Sequence, residues 1–296
     1  MKPKLLLPVV LSLLSLSGAA QEIGTLTLVE GSLQVIRGTA ALQGAEGVRL
    51  HQGDILKTSD PGFAQLELTG GAIIALGAST RAFLFARLAN GTNELVLLSG
   101  WLKGETSSHT GAYSYAGPLL AATTREGAVV LHAGLEIGEI FVESGSAGIS
   151  EVGSDGSLSR PNNAKAGQFF SRPPGKSVAV QSGPSSPFLA SIPRPFEDTL
   201  PSRLSRFSGK PPAPKFDHEV TYAEIQPWLT ARLAWRRSFV KRFEPRLGDA
   251  AFRSAVEAHL REHPEWDPVL HPEKHQTKMP PAQVDSRDLQ QGGHSQ

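Results

Sequence analysis

Ala64-Gln65-Leu66-Glu67-Leu68-Thr69-Gly70-Gly71-Ala72-Ile73-Ile74-Ala75-Leu76 decides how the chain is read. Ala64, Leu66 and Leu68 alternate with Gln65 and Glu67. Successive side chains of a strand point to opposite faces, so this alternation marks a strand with one face buried. Thr69-Gly70-Gly71 supplies a turn and Ile73–Leu76 a return strand, which predicts a hairpin. Upstream, Leu26 and Leu28 alternate with threonine, and Leu33 and Val35 with polar residues, which predicts a second hairpin around Glu30-Gly31. Downstream, Phe83 and Phe85 fall on one strand, and Asn90-Gly91-Thr92 turns into Leu95–Leu98. No stretch between 22 and 170 carries a 3.6-residue apolar stripe. Strands of about five residues with turns every 8–12 residues give a mainly β fold, a sandwich or an irregular solenoid.

Composition bounds the function. The 296 residues hold 29 Lys+Arg, 28 Asp+Glu and no cysteine. A net charge of +1 lacks the basic excess of a nucleic-acid binder. Without cysteine there are no disulfides, thiolate metal sites or thiol catalysis. Lys2 and Lys4, the apolar run Leu5–Leu16 and the small residues Gly18-Ala19-Ala20 read as a secretory signal over 1–20, cleaved near Ala20. The expected location is the periplasm or the exterior. Glycine marks the turns of residues 22–170, whereas proline gathers with serine between 173 and 217.

Three segments taken in order resemble the FecR protein domain. They are Val29-Glu30-Gly31-Ser32-Leu33-Gln34-Val35, then Leu50-His51-Gln52-Gly53-Asp54-Ile55-Leu56-Lys57-Thr58, then the 64–76 stretch. Leu97-Leu98-Ser99-Gly100-Trp101-Leu102 resembles the step that follows. Thr123-Thr124-Arg125-Glu126-Gly127 matches the family only in degenerate form, and Ala166-Gly167-Gln168 resembles its closing Gly-Gln. The resemblance places one such domain at 23–172. It implies periplasmic sensing by protein–protein recognition, as in anti-sigma regulators of iron uptake. Those regulators carry a sigma-binding region and a membrane helix before the domain, where this sequence has only a four-residue basic start and the signal run.

Gly53-Asp54 and Gly70-Gly71 are read as structural turns, glycine supplying positive φ and Asp54 accepting backbone N–H groups. Residues 173–217 are expected to form an extended, mobile spacer, with Phe188-Leu189 and Ile192 as contacts back onto the β domain. Thr221 and Glu224 form a capping-box signature opening a helical segment at 218–264, interrupted at Pro227. A second helix is predicted over 230–243, with Leu229, Leu233, Val240 and Phe243 on one face. A third is capped by Asp249 and ends at His263, before Pro264. Trp228, Trp235 and Trp266 are read as the core of this small bundle, and 265–296 as a polar, disordered tail.

Arg232, Arg236, Arg237, Lys241 and Arg242, with Arg246 following, form a basic cluster that could meet an anionic membrane surface or glycan. Read blandly, it is a solvated helix face. His259, His263, His271 and His275 lie near Glu262, Glu265 and Asp267 but lack a metal-site pattern. No phosphate loop, nucleophile elbow or dinucleotide fingerprint occurs, so no catalytic residue, cofactor or metal is expected. The leading expectation is an exported, non-enzymatic binding or scaffolding protein with a protein partner in the envelope. The alternatives are a component of FecR-type sigma-factor or iron-uptake signalling, and a peptidoglycan-binding protein.

Overall fold

A computed structural model of the chain describes residues 21–87 and 93–275. The signal run 1–20, the Asn90-Gly91-Thr92 turn and residues 276–296 of the tail lie outside the described residues. The fold is mainly β, with 41% of residues in strands and 22% helical. Two compact units divide the chain, residues 1–236 and 237–296.

The first unit starts with β1 (Glu22–Glu30), β2 (Leu33–Arg37), β3 (Ala40–Gln43), β4 (Arg49–His51) and β5 (Ile55–Thr58). It continues through β6 (Phe63–Leu68), β7 (Ile73–Leu76), β8 (Arg81–Arg87), β9 (Asn93–Thr106) and β10 (Tyr113–Ala116). β11 (Leu120–Ala133), β12 (Gly138–Glu151), β13 (Asn162–Lys165), β14 (Phe169–Arg172) and β15 (Ala179–Gln181) follow. They form one mixed sheet folded over itself. β3, β2, β5 and β8 are one run of neighbours, and β4, β1, β6 and β7 another. β9 belongs to both, pairing with β8 over its first half and with β7 over its second. The main core lies between the two runs, where Leu26, Leu66 and Ile74 pack with Val35, Leu56 and Leu84. The fold is mainly β, built on one large mixed sheet, as the alternation predicts.

The 14-residue strands β9, β11 and β12 bend where glycine permits. Gly127 and Gly145 face each other in the ladder with φ of +120° and +70°. A Cβ on Gly127 would overlap the Ser144 carbonyl, so any other residue blocks this bend. The 64–76 hairpin forms as its pattern requires, pairing Ala64 with Leu76 and Glu67 with Ile73. The hairpin expected at Glu30-Gly31 does not form. β1 pairs with β4 and β6, whereas β2 pairs with β3 and β5. Gly31, at φ +73°, carries the chain from one run to the other. Alternation fixes which face of a strand is buried and leaves its neighbour to be chosen by tertiary packing.

Residues 186–207 correct the expectation of a mobile spacer. α1 (Ser186–Ser191) is capped by Ser185, and short 3-10 turns follow at Arg194–Phe196 and Leu204–Phe207. Phe188, Phe196 and Leu200 are buried against Phe63, Trp101, Val130 and Phe169, with Ile192 beside them. Leu189 stays exposed. Four apolar side chains spaced four apart anchor this strap, a pattern that the Pro/Ser composition obscures. β16 (Lys215–Glu219) then joins the sheet beside β3. α2 (Tyr222–Leu229) begins at the expected capping box and runs through Pro227. Trp228 packs edge-to-face on Phe83 at 5.8 Å, so it covers the sheet rather than a helical bundle.

The helix predicted over 230–243 is broken into α3 (Leu233–Arg236) and α4 (Phe239–Phe243), and Leu233 is exposed. In the second unit α5 (Ala250–Ala258) is capped by the Asp249 carboxylate and ends before His263. A 3-10 turn at Pro264–Trp266, α6 (Asp267–Leu270) and α7 (Pro272–His275) give structure to 265–275, the part of the expected tail that is described. Phe239, Phe243, Phe252, Val256, Trp266 and Leu270 are its buried apolar residues among those described. Among the described residues no helix is long and apolar enough to cross a membrane.

Candidate functional site

The motif residues are spent on folding. Gly53 turns at φ +87°, and Asp54 behind it is 1% exposed. The Asp54 carboxylate accepts from Arg37 Nε and Nη2 at 2.9 and 2.7 Å and from the His51 amide at 2.8 Å. Arg37 Nη2 also donates to the Arg49 carbonyl, so one guanidinium ties β2 to the β4–β5 turn. The backbone amide was legible from the turn chemistry, whereas Arg37 lies 17 residues away and was not. Gly71, at φ +87°, closes the β6–β7 turn by donating to the Leu68 carbonyl at 2.7 Å, and Gly70 sits beside the Tyr113 hydroxyl.

The basic residues have different local surroundings. Arg232 donates to the carbonyls of Gly153 and Pro118, beside Arg172, which donates to Leu119 and Val152. Burial and the neighbouring Arg172 charge lower the Arg232 pKa. Arg236 donates to the Leu229 carbonyl at 2.7 Å. In the second unit Arg242 lies over Phe243 at 4.9 Å and Arg246 over Phe252 at 5.5 Å. Arg237 and Lys241 are left exposed. Of the histidines, His259 Nδ1 donates to the Ala255 carbonyl, His263 is buried, and His271 and His275 both lie on Asp267, at 3.9 and 2.7 Å. Among the described residues no three His, Asp or Glu side chains are grouped to hold a metal.

A polar track that the sequence did not disclose holds the strap. Lys103 on β9 is 0% exposed, donates to the Phe196 and Asp198 carbonyls at 2.9 Å each, and pairs with Glu143 at 2.7 Å and Glu105 at 3.3 Å. Glu105 accepts from the Leu200 amide, and Glu67 from Ser202 Oγ and the Arg203 amide. Gln65 donates to the Pro201 carbonyl. A charged residue in an alternating strand reads as solvent-facing, so only the arrival of the strap reveals its partners.

At α2 the cap extends into the sheet. Glu224 accepts from the Thr221 amide and hydroxyl, from Gln34 Nε2 at 2.7 Å and from His218 Nε2 at 2.9 Å. Burial would raise the Glu224 carboxyl, but these hydrogen bonds outweigh it and hold the pKa at about 2. The Glu224 hydrogen bond raises that of His218 against the opposing effect of burial, and Asp217 adds to the rise.

Two strands end the longest path through the sheet, β15 and β16. β16 is Lys215-Phe216-Asp217-His218-Glu219, and charges of this kind discourage a further strand. β15 pairs with β14 alone, all three of its residues are exposed, and Val180 is 51% exposed. No charged residue occurs from Ser177 to Pro193. β15 is thus an open edge without the usual protection, and the uncharged run is the sequence signal for it.

No family model and no curated protein matches the chain. Two crystal structures of a candidate anti-sigma factor from Parabacteroides distasonis ATCC 8503, at 2.50 and 1.65 Å, are similar to it with 9% and 8% identity and a TM-score of 0.38 each. Each match covers 44% of this chain, which spans 59% of the solved chain. The FecR resemblance rests on the motif residues alone.

Proposed function

We propose that this chain is a non-enzymatic, FecR-like recognition protein of the cell envelope, acting as a component of a FecR-type signalling system. It takes its protein partner by strand addition at β15. The observation that carries this reading is the contrast between the two sheet ends, a charged β16 and an uncharged, exposed β15. Main-chain groups of an open edge supply affinity for an extended segment, and exposed side chains such as Val180 supply selectivity. The motif residues Gly53, Asp54, Gly70 and Gly71 are held by intramolecular bonds, which suits a scaffold presenting an edge better than a chemical centre.

The test compares deletion of the gene with Val180→Lys, which places a charge on the edge without touching the core. Both are expected to change the same sigma-factor-dependent transcripts, while Val180→Lys keeps the parental melting temperature. If deletion alters those transcripts and Val180→Lys does not, the edge is not the recognition element. Transcription unchanged by deletion removes the signalling role itself.

A further inference from the structure

Where β1 begins, a cavity of about 160 Å³ opens. Ile23, Leu68, Leu84, Leu95 and Tyr113 form its apolar side, Gln21, Gln52 and Thr69 its polar side, and Glu94 lines it with them. The other acids of the sheet that are mostly withdrawn from water have partners. Asp54 is held by Arg37, Glu67 by Ser202 and Arg203, Glu105 and Glu143 by Lys103, and Glu139 by His132. For the Glu94 side chain no hydrogen bond or ion pair is found among the described residues. Burial accordingly pushes its carboxyl above the ordinary value. A partly buried carboxylate without a protein partner is costly to keep. Such groups collect at binding sites.

The surroundings define what would satisfy it. Glu22 at the mouth adds a second negative charge, which disfavours an anion. Glu94 and Glu22 have no third acid or histidine grouped with them among the described residues, too few charged ligands for a metal. A cavity of about this volume accommodates a benzene-sized molecule or a four-carbon chain. We propose that the cavity binds a primary alkylammonium group, its methylenes against Ile23, Leu68 and Leu84 and its ammonium on the Glu94 carboxylate. The group could belong to a free amine or to a lysine side chain of a protein. This site is separate from the β15 edge, so either proposal can fail alone.

Titration of the purified chain with butylammonium chloride at pH 7, followed by the amide resonances of Glu94, Leu95 and Tyr113, tests the assignment. Saturable binding is expected, at least about tenfold tighter than that of 1-butanol, the uncharged counterpart. Glu94→Gln should weaken it about tenfold, the usual consequence of losing a charged hydrogen bond. That variant should melt no lower than the parent, because a half-buried charge without a protein partner has been removed. Glu22→Gln, at the exposed mouth, should change affinity less than about threefold, as expected for a solvent-screened charge. Nα-acetyl-lysine amide binding as tightly as butylammonium identifies a protein lysine as the source. Binding at least tenfold weaker identifies a free amine. Equal binding of butanol and butylammonium, or a Glu94→Gln variant that titrates like the parent, overturns the proposal.

Discussion

Replacing Lys103 with methionine tests whether the polar track holds the strap. Methionine keeps the straight apolar stem but removes both hydrogen bonds to the Phe196 and Asp198 carbonyls and the cation between Glu105 and Glu143. Hydrogen bonds to a charged group contribute about 1.5–3 kcal/mol each, and removing one partner of a buried pair costs about 3–5 kcal/mol. Glu105 and Glu143 keep 16% and 30% of their side-chain surface in water, so each recovers part of its hydration. The methionine also avoids the desolvation of a buried ammonium. A net loss of about 3 kcal/mol follows, which lowers the melting temperature by roughly 6–12 °C for a unit of this size. The loss should be local before it is global. Trypsin cleavage at Arg203 and Arg206 should accelerate well below the melting transition, together with hydrogen exchange at the Leu200 amide. If Lys103→Met melts within about 1 °C of the parent, below the smallest shift this bookkeeping allows, and strap cleavage is unchanged, the strap is held by its apolar anchors alone.

Asp54→Asn leaves the Arg37 guanidinium facing an amide and should cost about 3 kcal/mol in denaturant unfolding, the low end for a broken buried pair because Arg37 reaches solvent. Gly127→Ala forces a side chain into the Ser144 carbonyl at a φ that only glycine adopts freely. It should cost about 3 kcal/mol or prevent accumulation of folded protein, read by circular dichroism. Glu224→Ala removes the capping box and should cost about 1 kcal/mol. It should also flatten the pH profile of melting. Glu224 is held at about 2, below its usual 4.5, so its contribution is complete above pH 4.5 and fades as pH falls toward 2. His218 is raised above 6.5, so its contribution is complete below pH 6.5 and fades as pH rises through the folded value. The parent should therefore melt highest between these limits, and a parent profile identical to that of Glu224→Ala would remove the cap from the account.

The β content, the 64–76 hairpin, the Gly53-Asp54 turn and the Thr221/Glu224 cap were legible because each is decided within a few residues. Alternation, a positive-φ glycine and a capping carboxylate act on their own chain neighbours. The Glu30-Gly31 crossing was misread for the complementary reason, since a hairpin and a crossing share the same local pattern until a partner strand is chosen. The break between α3 and α4 likewise overrides an apolar spacing that would have placed Leu233 inside.

The candidate sites divide in the same way. The uncharged run that leaves β15 open is written in the sequence, as is the zero cysteine count, which leaves the fold without disulfides. Which carboxylates are satisfied is not. Glu67, Glu105 and Glu94 look alike along the chain, each an acid in a β strand. The strap supplies partners to the first two, and the cavity leaves the third without one. Arg232 likewise counts as a surface cation by sequence and becomes a carbonyl cap once residues 118 and 153 lie beside it. Local backbone chemistry fixed the elements, whereas the electrostatic role of each charge waited on segments distant in sequence, because a charge is defined by what surrounds it.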